Sequence, residues 1–139
     1  MPLWIEETFP LITRAGYSIT SEPTDEYNCI AWIFQDTTRW WSHLEGYYWP
    51  GPRTPTVQSL VTVFASLGYE VCGDGDVEEG YDKVALYALN ERWTHAARQL
   101  SDGRWTSKLG PDEDIEHGTL DGLSGDAYGQ MRYFMRRKR

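Results

Sequence analysis

Asp102 and Gly103 separate two strand-like runs at 93–100 and 104–109. An Asp-Gly pair favours a type I′ turn, because both central residues of that turn need a positive φ. A two-residue turn of this type joins neighbouring antiparallel strands. The chain is therefore expected to build an antiparallel sheet around this hairpin, which limits the fold to classes that contain such a sheet.

The same turn predicts a register for the hairpin. With a two-residue loop, Gln99 pairs with Thr106 and His95 pairs with Gly110. Side chains on one face of a strand recur at every second residue. Thr106 and Lys108 are therefore expected to share the face of His95.

Periodicity and capping residues predict the remaining elements. Ile30, Ile33 and Phe34 follow the N-cap residue Asn28 at helical spacing, and a second helical pattern ends before Gly68. The predicted helices span 29–36 and 57–67, the further strands 69–72, 83–89 and 128–136, and the loops 73–80 and 110–125, the latter with at most one helical turn. Residues 1–27 are expected to be irregular, with a short helix or turn near 6–13, and 136–139 to form a solvated basic tail. Together these elements predict a single α+β domain over residues 1–139.

The charge of the chain limits its partners. A formal net charge of −8 and a pI near 4.8 disfavour a nucleic-acid partner. No apolar run is long enough to span a bilayer, and the first residues lack the features of a secretory signal. We therefore expect a cytoplasmic protein that binds no membrane, with Cys29 and Cys72 reduced.

The sequence predicts no metal site and no cofactor. Three histidines and two cysteines are scattered without the close pairs that zinc sites use. Asp74, Asp76 and Glu78 alternate like the start of a calcium loop, but the glycine and the glutamate that complete such a loop are absent. No glycine-rich phosphate loop is present.

Two residues could carry nucleophilic chemistry. Cys29 would lie at a helix N-terminus, where the helix dipole stabilises a thiolate. His95 lies in a predicted strand beside Ala97, and small neighbours leave space around its imidazole. Each has a structural alternative: Cys29 as a small buried hydrophobic residue, and His95 as an ordinary core or surface residue.

Several motifs resemble an uncharacterised bacterial domain family over most of the chain, from about residue 9 onward. The motifs are Tyr-Asn-Cys-Ile-Ala-Trp at 27–32, Lys-Val-Ala-Leu-Tyr-Ala at 83–88, Thr-His-Ala-Ala-Arg-Gln-Leu at 94–100, Gly-Arg-Trp-Thr-Ser-Lys-Leu-Gly at 103–110 and Asp-Ile-Glu-His at 114–117. The cysteine and histidine blocks are in turn similar to NlpC-type and papain-like cysteine hydrolases. This resemblance implies a papain-like α+β fold, in which an N-terminal helix carrying Cys29 packs on an antiparallel meander carrying His95.

The resemblance also implies a reaction. Cys29 would attack an amide or peptide bond as a thiolate, and His95 would transfer the proton. The third group that orients His95 would be Thr106, Asp114 or His117. The expected substrate-binding residues, with Gln99 as a candidate oxyanion donor, are Trp32, Trp40, Trp41, Gln99 and Lys108. The partner would be a peptide or protein substrate.

A different class of function fits the same sequence. The stretch 40–52 concentrates tryptophan and tyrosine in an irregular segment, and the surface is acidic. Both features suit a non-catalytic protein-interaction module such as an immunity, inhibitor or regulatory factor. A toxin or host-interference effector is a further alternative.

Overall fold

One antiparallel sheet organises the chain, and the computed structural model describes residues 3–139. Over these residues the helices are α1 (Leu3–Thr8), α2 (Ile12–Ala15), α3 (Cys29–Ile33), α4 (Val57–Ser66) and a 3₁₀ turn (Leu120–Leu123). The strands are β1 (Tyr17–Ile19), β2 (Glu70–Cys72), β3 (Tyr81–Leu89), β4 (Arg92–Gln99), β5 (Trp105–Lys108), β6 (Asp114–His117) and β7 (Gln130–Lys138). In space the strands follow the order β1-β6-β5-β4-β3-β7-β2.

The central strand β3 divides the core into two layers. It pairs with β4 on one side and β7 on the other, and residues 83–88 are buried. Leu86 faces a layer that contains α3 and α4, whereas Tyr87 faces a layer that contains α1 and α2. This arrangement confirms the prediction of a central strand that is covered on both faces.

Helix α4 follows the predicted pattern. Val57, Leu60 and Phe64 are buried on one face, and the Thr56 hydroxyl accepts a hydrogen bond from the Ser59 amide as the N-cap. Gly68 ends the helical turn at a φ of +97°. The predicted helix at 57–67 is therefore confirmed.

The predicted papain-like fold is wrong. A seven-stranded antiparallel sheet dominates the described residues, and α3 is a five-residue turn rather than the expected helix over 29–36. Gln35 adopts a positive φ of 55°, and the Asp36 amide donates to the Ala31 carbonyl, which closes the helix end early. The sheet is also not a simple meander, because β7 lies between β3 and β2.

The hairpin between β4 and β5 has a different turn from the predicted one. Asp102 lacks the positive φ of a type I′ turn, and the Leu100 amide bonds to the Arg104 carbonyl across a three-residue loop that ends with Gly103 at φ +92°. Gln99 therefore pairs with Trp105 instead of Thr106. The two-residue turn with positive φ at both positions occurs one hairpin earlier, at Asn90-Glu91 between β3 and β4.

This one-residue change moves side chains to the other face of the sheet. Thr106 pairs with Arg98, so it lies on the α3 side, and Lys108 follows it on the same face. His95 pairs with Tyr87 and lies on the opposite face. The expectation that Thr106 and Lys108 share the face of His95 is therefore wrong.

Two segments expected to lack regular structure form paired strands. Tyr17 in the N-terminal segment pairs with His117, which lies in the predicted 110–125 loop. The basic residues at the other end of the chain extend β7 to Lys138 instead of forming a solvated tail. Arg136 pairs with Glu70 across the sheet edge.

Candidate functional site

Cys29 lies at the start of α3, and Asn28 fixes this position. The Asn28 side chain accepts from the Ala31 amide at 3.2 Å and donates to the Trp41 carbonyl at 2.6 Å. The thiol packs among buried apolar residues of the α3 layer, including Leu86 and Ala96. With only five helical residues, α3 supplies few aligned peptide dipoles to stabilise an anion.

Burial decides the protonation state of Cys29. Desolvation raises the pKa of this thiol to about 11, and nearby backbone N–H groups, that of Ala96 among them, offset only part of the effect. The group is therefore a neutral thiol at neutral pH. A neutral buried thiol is a poor nucleophile.

His95 lies in the other core layer. Its ring stacks on Tyr128 with centroids 4.3 Å apart and meets Tyr87 edge-on at 5.4 Å. Within residues 3–139 neither ring nitrogen has a hydrogen-bond partner. Burial holds the pKa of His95 well below its usual value, and the charge of His117 acts in the same direction. The imidazole is therefore neutral, and no polar group among the described residues orients it.

No hydrogen bond joins Cys29 and His95 within residues 3–139. Successive side chains of a strand point to opposite faces, and Ala96 is the residue that packs on the Cys29 side. The sulfur therefore lies beside the β4 backbone at Ala96, whereas the His95 ring packs against Tyr87 and Tyr128. A dyad needs a hydrogen bond between the two groups, and within residues 3–139 the His95 ring nitrogens form none.

The expected orienting groups divide between the two faces. His117 lies on the His95 side, where its ring nitrogens meet the Ser107 hydroxyl at 2.8 Å and the Thr119 carbonyl at 2.9 Å. Thr106 lies on the Cys29 side and accepts from the indole of Trp32 at 3.0 Å. The other expected residues on that side, Lys108 and Asp114, belong to a separate polar cluster.

The side chains of that polar cluster form hydrogen bonds within the fold. The Lys108 ammonium donates to three carbonyls, those of Thr24, Gly110 and Asp112, each at 2.6 Å. The Tyr27 hydroxyl donates to Asp114 at 2.7 Å, and burial raises the pKa of that carboxyl. All the donors of Lys108 are used within the fold, so it is not poised to bind a substrate.

The remaining expected residues lie elsewhere. Gln99 donates to the Gly75 carbonyl and thus anchors the acidic loop. Trp41 is buried, and its indole donates to Asp36 at 2.8 Å. Trp40 is half-buried and lines a shallow surface pocket together with Tyr47.

Sequence reasoning missed Arg98 and Arg137, which line an enclosed pocket with Tyr69. One signal was available for Arg98, because it is a charged residue directly after two alanines in a strand with two buried faces. Nothing in the sequence distinguished Arg137 from the other basic residues near the C-terminus.

Thiol labelling tests the burial of Cys29. In the native protein at neutral pH, we expect iodoacetamide to modify the partly exposed Cys72 at least about tenfold faster than Cys29, because only Cys72 is accessible to the reagent. Mass spectrometry of peptides over a time course measures both rates, and Cys72→Ser isolates the Cys29 reaction. Rapid labelling of Cys29 that persists at mildly acidic pH would instead reveal an activated thiolate.

Residues 3–139 also bear on metal binding and on membrane insertion. No cluster of three or more His, Cys, Asp or Glu side chains in this range could hold a metal ion. In the same range no helix has the length and apolar character needed to cross a membrane.

Comparison with known proteins places the chain in a family. No curated protein and no solved structure matches it, and nothing supports the similarity to NlpC-type and papain-like hydrolases. The family described as a domain of unknown function, DUF7689, matches residues 18–136. This match covers most of the chain, including α3 and every strand from β2 to β6. The protein belongs to the DUF7689 family.

Proposed function

We propose that this protein is a non-catalytic protein-binding module that presents the segment 39–53, here called the aromatic segment, to a partner with a basic surface. One observation carries the proposal: the aromatic segment is fixed to the core on its inner side and exposes apolar side chains on its outer side. A surface of this kind is typical of binding loops held by a rigid scaffold.

The inner side of the aromatic segment is anchored by two tryptophans. Trp41 and Trp49 are buried, and the backbone of Trp41 is held on both sides by the Asn28 amide. Trp49 stacks on Trp93 of β4 with centroids 5.5 Å apart, and its indole donates to the Pro52 carbonyl. These contacts attach the segment to the α3 layer of the core.

A single guanidinium braces the segment from within. Arg53 donates to the Leu44 carbonyl at 2.7 Å and to the Tyr47 carbonyl at 2.9 Å. The Ser42 amide also donates to the Tyr48 carbonyl at 3.1 Å. A segment held in this way loses little conformational entropy on binding, which favours affinity.

The outer side is apolar and open to solvent. Leu44, Tyr47 and Tyr48 are 57%, 45% and 39% exposed. Arg39 lies 3.6 Å from the centre of the Tyr48 ring and also pairs with Asp36. Exposed tyrosines are frequent anchors in protein interfaces, because their rings offer large contact area with few rotatable bonds.

The adjoining pocket supports the proposal of a basic partner. Asp25, Trp40, Tyr47 and Pro111 enclose about 270 Å³ beside the exposed tyrosines. A carboxylate next to aromatic rings suits the ammonium of lysine or the guanidinium of arginine. The net charge of −8 also attracts a basic surface over a longer range.

The alternative of a cysteine hydrolase has less support. Catalysis at Cys29 needs a thiolate and a nearby base, whereas the thiol is neutral and the His95 ring lies in the other core layer. A binding function needs neither group, so Cys29→Ala is expected to leave partner binding unchanged.

Peptide selection tests the proposed surface. We expect peptides selected from a random display library against the native protein to combine Arg or Lys with apolar residues. Replacing Leu44, Tyr47 and Tyr48 with serine is expected to weaken the binding of these peptides by at least about tenfold, since anchor side chains contribute most of the binding energy. Fluorescence anisotropy measures the dissociation constants.

A matched variant controls for the loss of exposed apolar area. Val71 and Val77 are 54% and 56% exposed on another part of the surface, so the double change to serine should leave peptide binding unaltered. Circular dichroism verifies that each variant is folded. The proposal fails if the selected peptides bind the aromatic-segment variant as tightly as the native protein, or if no peptide is enriched.

A further inference from the structure

A second pocket lies where the end of α3 meets β4 and β7. It encloses about 230 Å³, and its lining residues include Phe34, Tyr69, Asp82, Arg98 and Arg137. The lining residues lie outside the aromatic segment, although the ring of Phe34 stacks on Trp41 of that segment at 4.8 Å. Its distinguishing feature is the presence of two guanidinium groups in an acidic protein.

Arg98 brings a partly buried charge into the sheet, where the carboxylate of Asp82 acts on it only from a distance. Its guanidinium lies 5.3 Å from the centre of the Trp32 ring, and its Nε is buried. Over the part of the chain that the structure describes, the Arg98 side chain forms neither a hydrogen bond nor an ion pair, and its Nε is among the buried atoms without a partner. A desolvated charge without a partner is unfavourable, and an anion that supplies one relieves this cost.

Arg137 supplies the second positive group. It lies 4.8 Å from the centre of the Tyr69 ring and donates to the Leu67 carbonyl at 3.3 Å. Its contact with Asp82 is long, at 4.0 Å, whereas Arg139 holds the same carboxylate at 2.9 Å. The pocket therefore has two guanidinium groups and one carboxylate that is already bound, which leaves it net positive.

We propose that this pocket binds a carboxylate group carried on a small apolar or aromatic body. The guanidinium of Arg98 offers a planar pair of donors that matches a carboxylate. The rings of Phe34 and Tyr69 are among the lining residues, and the Arg137 guanidinium lies over both, so an apolar group attached to the carboxylate would contact the ring edges. A phosphate dianion fits less well, because Asp82 also lines the pocket and would repel a second negative charge.

Nuclear magnetic resonance titration tests this site with defined probes. Benzoate is expected to shift the guanidinium signals of Arg98 and Arg137, because both side chains line the pocket. Benzamide has the same shape without the charge and is expected to leave these signals unchanged. Shifts of equal size with benzamide, or stronger binding of inorganic phosphate than of benzoate, would overturn the proposal.

Variants separate the two guanidinium groups from general charge effects. Arg98→Gln and Arg137→Gln are each expected to weaken benzoate binding by at least about tenfold, since each removes one charged donor. Arg132→Gln changes another arginine of β7, one that pairs with Glu91, and should leave the affinity unaltered. If Arg98→Gln does not fold, Arg137→Gln decides the outcome. Unchanged benzoate affinity in the folded variants contradicts the proposed site.

A comparison with peptides distinguishes the two sources of such a carboxylate, a protein C-terminus and a small organic acid. A short peptide ending in phenylalanine is compared as the free acid and as the C-terminal amide. Tighter binding of the free-acid peptide than of benzoate assigns the pocket to a protein C-terminus, and the reverse order assigns it to a small organic acid. Binding of the amide as tightly as the free acid would overturn the carboxylate proposal.

Discussion

Replacing Lys108 with methionine is expected to lower the free energy of unfolding by about 3–5 kcal/mol, as removal of one member of a buried charged network does. Lys108 is fully buried, and its ammonium donates to three backbone carbonyls at 2.6 Å. Methionine fills a similar volume but donates no hydrogen bond. The three carbonyls then lose their partner, and each such loss destabilises the fold by about 1–3 kcal/mol when water cannot replace it.

Lys83 provides a matched control. Its ammonium is nearly as buried, but its partners Asp74 and Glu78 are 61% and 35% exposed, so water can solvate the carboxylates that Lys83→Met leaves behind. We therefore expect Lys83→Met to lower the free energy of unfolding by less than Lys108→Met does. Urea denaturation followed by circular dichroism gives both values. Equal losses in the two variants would mean that the three carbonyls do not depend on Lys108.

The contrast between these lysines also shows what the sequence can and cannot predict. Local patterns predicted α4 and the central strand β3, because helical spacing and continuous apolar burial are properties of neighbouring residues. The role of Lys108 depends on carbonyls of Thr24 and Asp112, which the tertiary fold brings to it. No local pattern contains that information.

The register of the β4–β5 hairpin is where the prediction of residues that share the His95 face was wrong. Asp102-Gly103 correctly marked a hairpin, but a three-residue loop displaced Thr106 from Gln99 by one position. Because the side-chain period of a strand is two, that single position moved Thr106 and Lys108 to the opposite face from His95. In the observed register Trp105 packs in the core layer that contains α1 and α2.

The arrangement around Cys29 and His95 could not be predicted for a related reason. The cysteine and histidine motifs lie in the expected chain order, but chain order does not specify which face of the sheet each side chain occupies. The β3–β4 register places His95 beside Tyr87, whereas α3 packs over Ala96. The Arg98 pocket was missed because it forms only when β7 and the end of α3 meet β4.

The second large effect expected is a loss of stability as the pH falls from 6.5 towards 4. Desolvation lowers the pKa of His117 to about 4 and holds that of His95 well below its ordinary value. The unfolded chain binds a proton at each histidine near pH 6.5. Stability from these groups is therefore fully present above that pH and is lost as the pH falls through the folded pKa values.

The size of the effect follows from the same linkage. A depression of the His117 pKa from 6.5 to about 4 corresponds to a loss of about 3 kcal/mol once both states are protonated. The pKa values of carboxylates such as Asp74 and Glu78 are lowered by Lys83 and Arg136. The stability that these carboxylates contribute to the fold is lost only at more acidic pH. Asp114 acts in the opposite direction, because burial raises its pKa.

His95→Phe separates the contribution of His95 from the rest. The phenyl ring keeps the stacking on Tyr128 and removes two ring nitrogens that lack hydrogen bonds over residues 3–139. At pH 7.5 this variant is expected to be at least as stable as the native protein, because an unpaired buried polar group is replaced by an apolar one. Between pH 6.5 and 5 the free energy of unfolding of this variant should fall less steeply with pH than that of the native protein. The difference in slope corresponds to about one fewer proton taken up on unfolding.

Urea denaturation at several pH values measures these slopes, and His43→Gln serves as the comparison. His43 is only half-buried, so its removal should change the slope less than His95→Phe does. An unchanged slope in His95→Phe would mean that the imidazole titrates normally in the folded protein. That result, together with a large loss of stability at pH 7.5, would show that His95 has polar partners which the two-layer core does not provide, and the assignment of His95 as a neutral core residue would then be wrong.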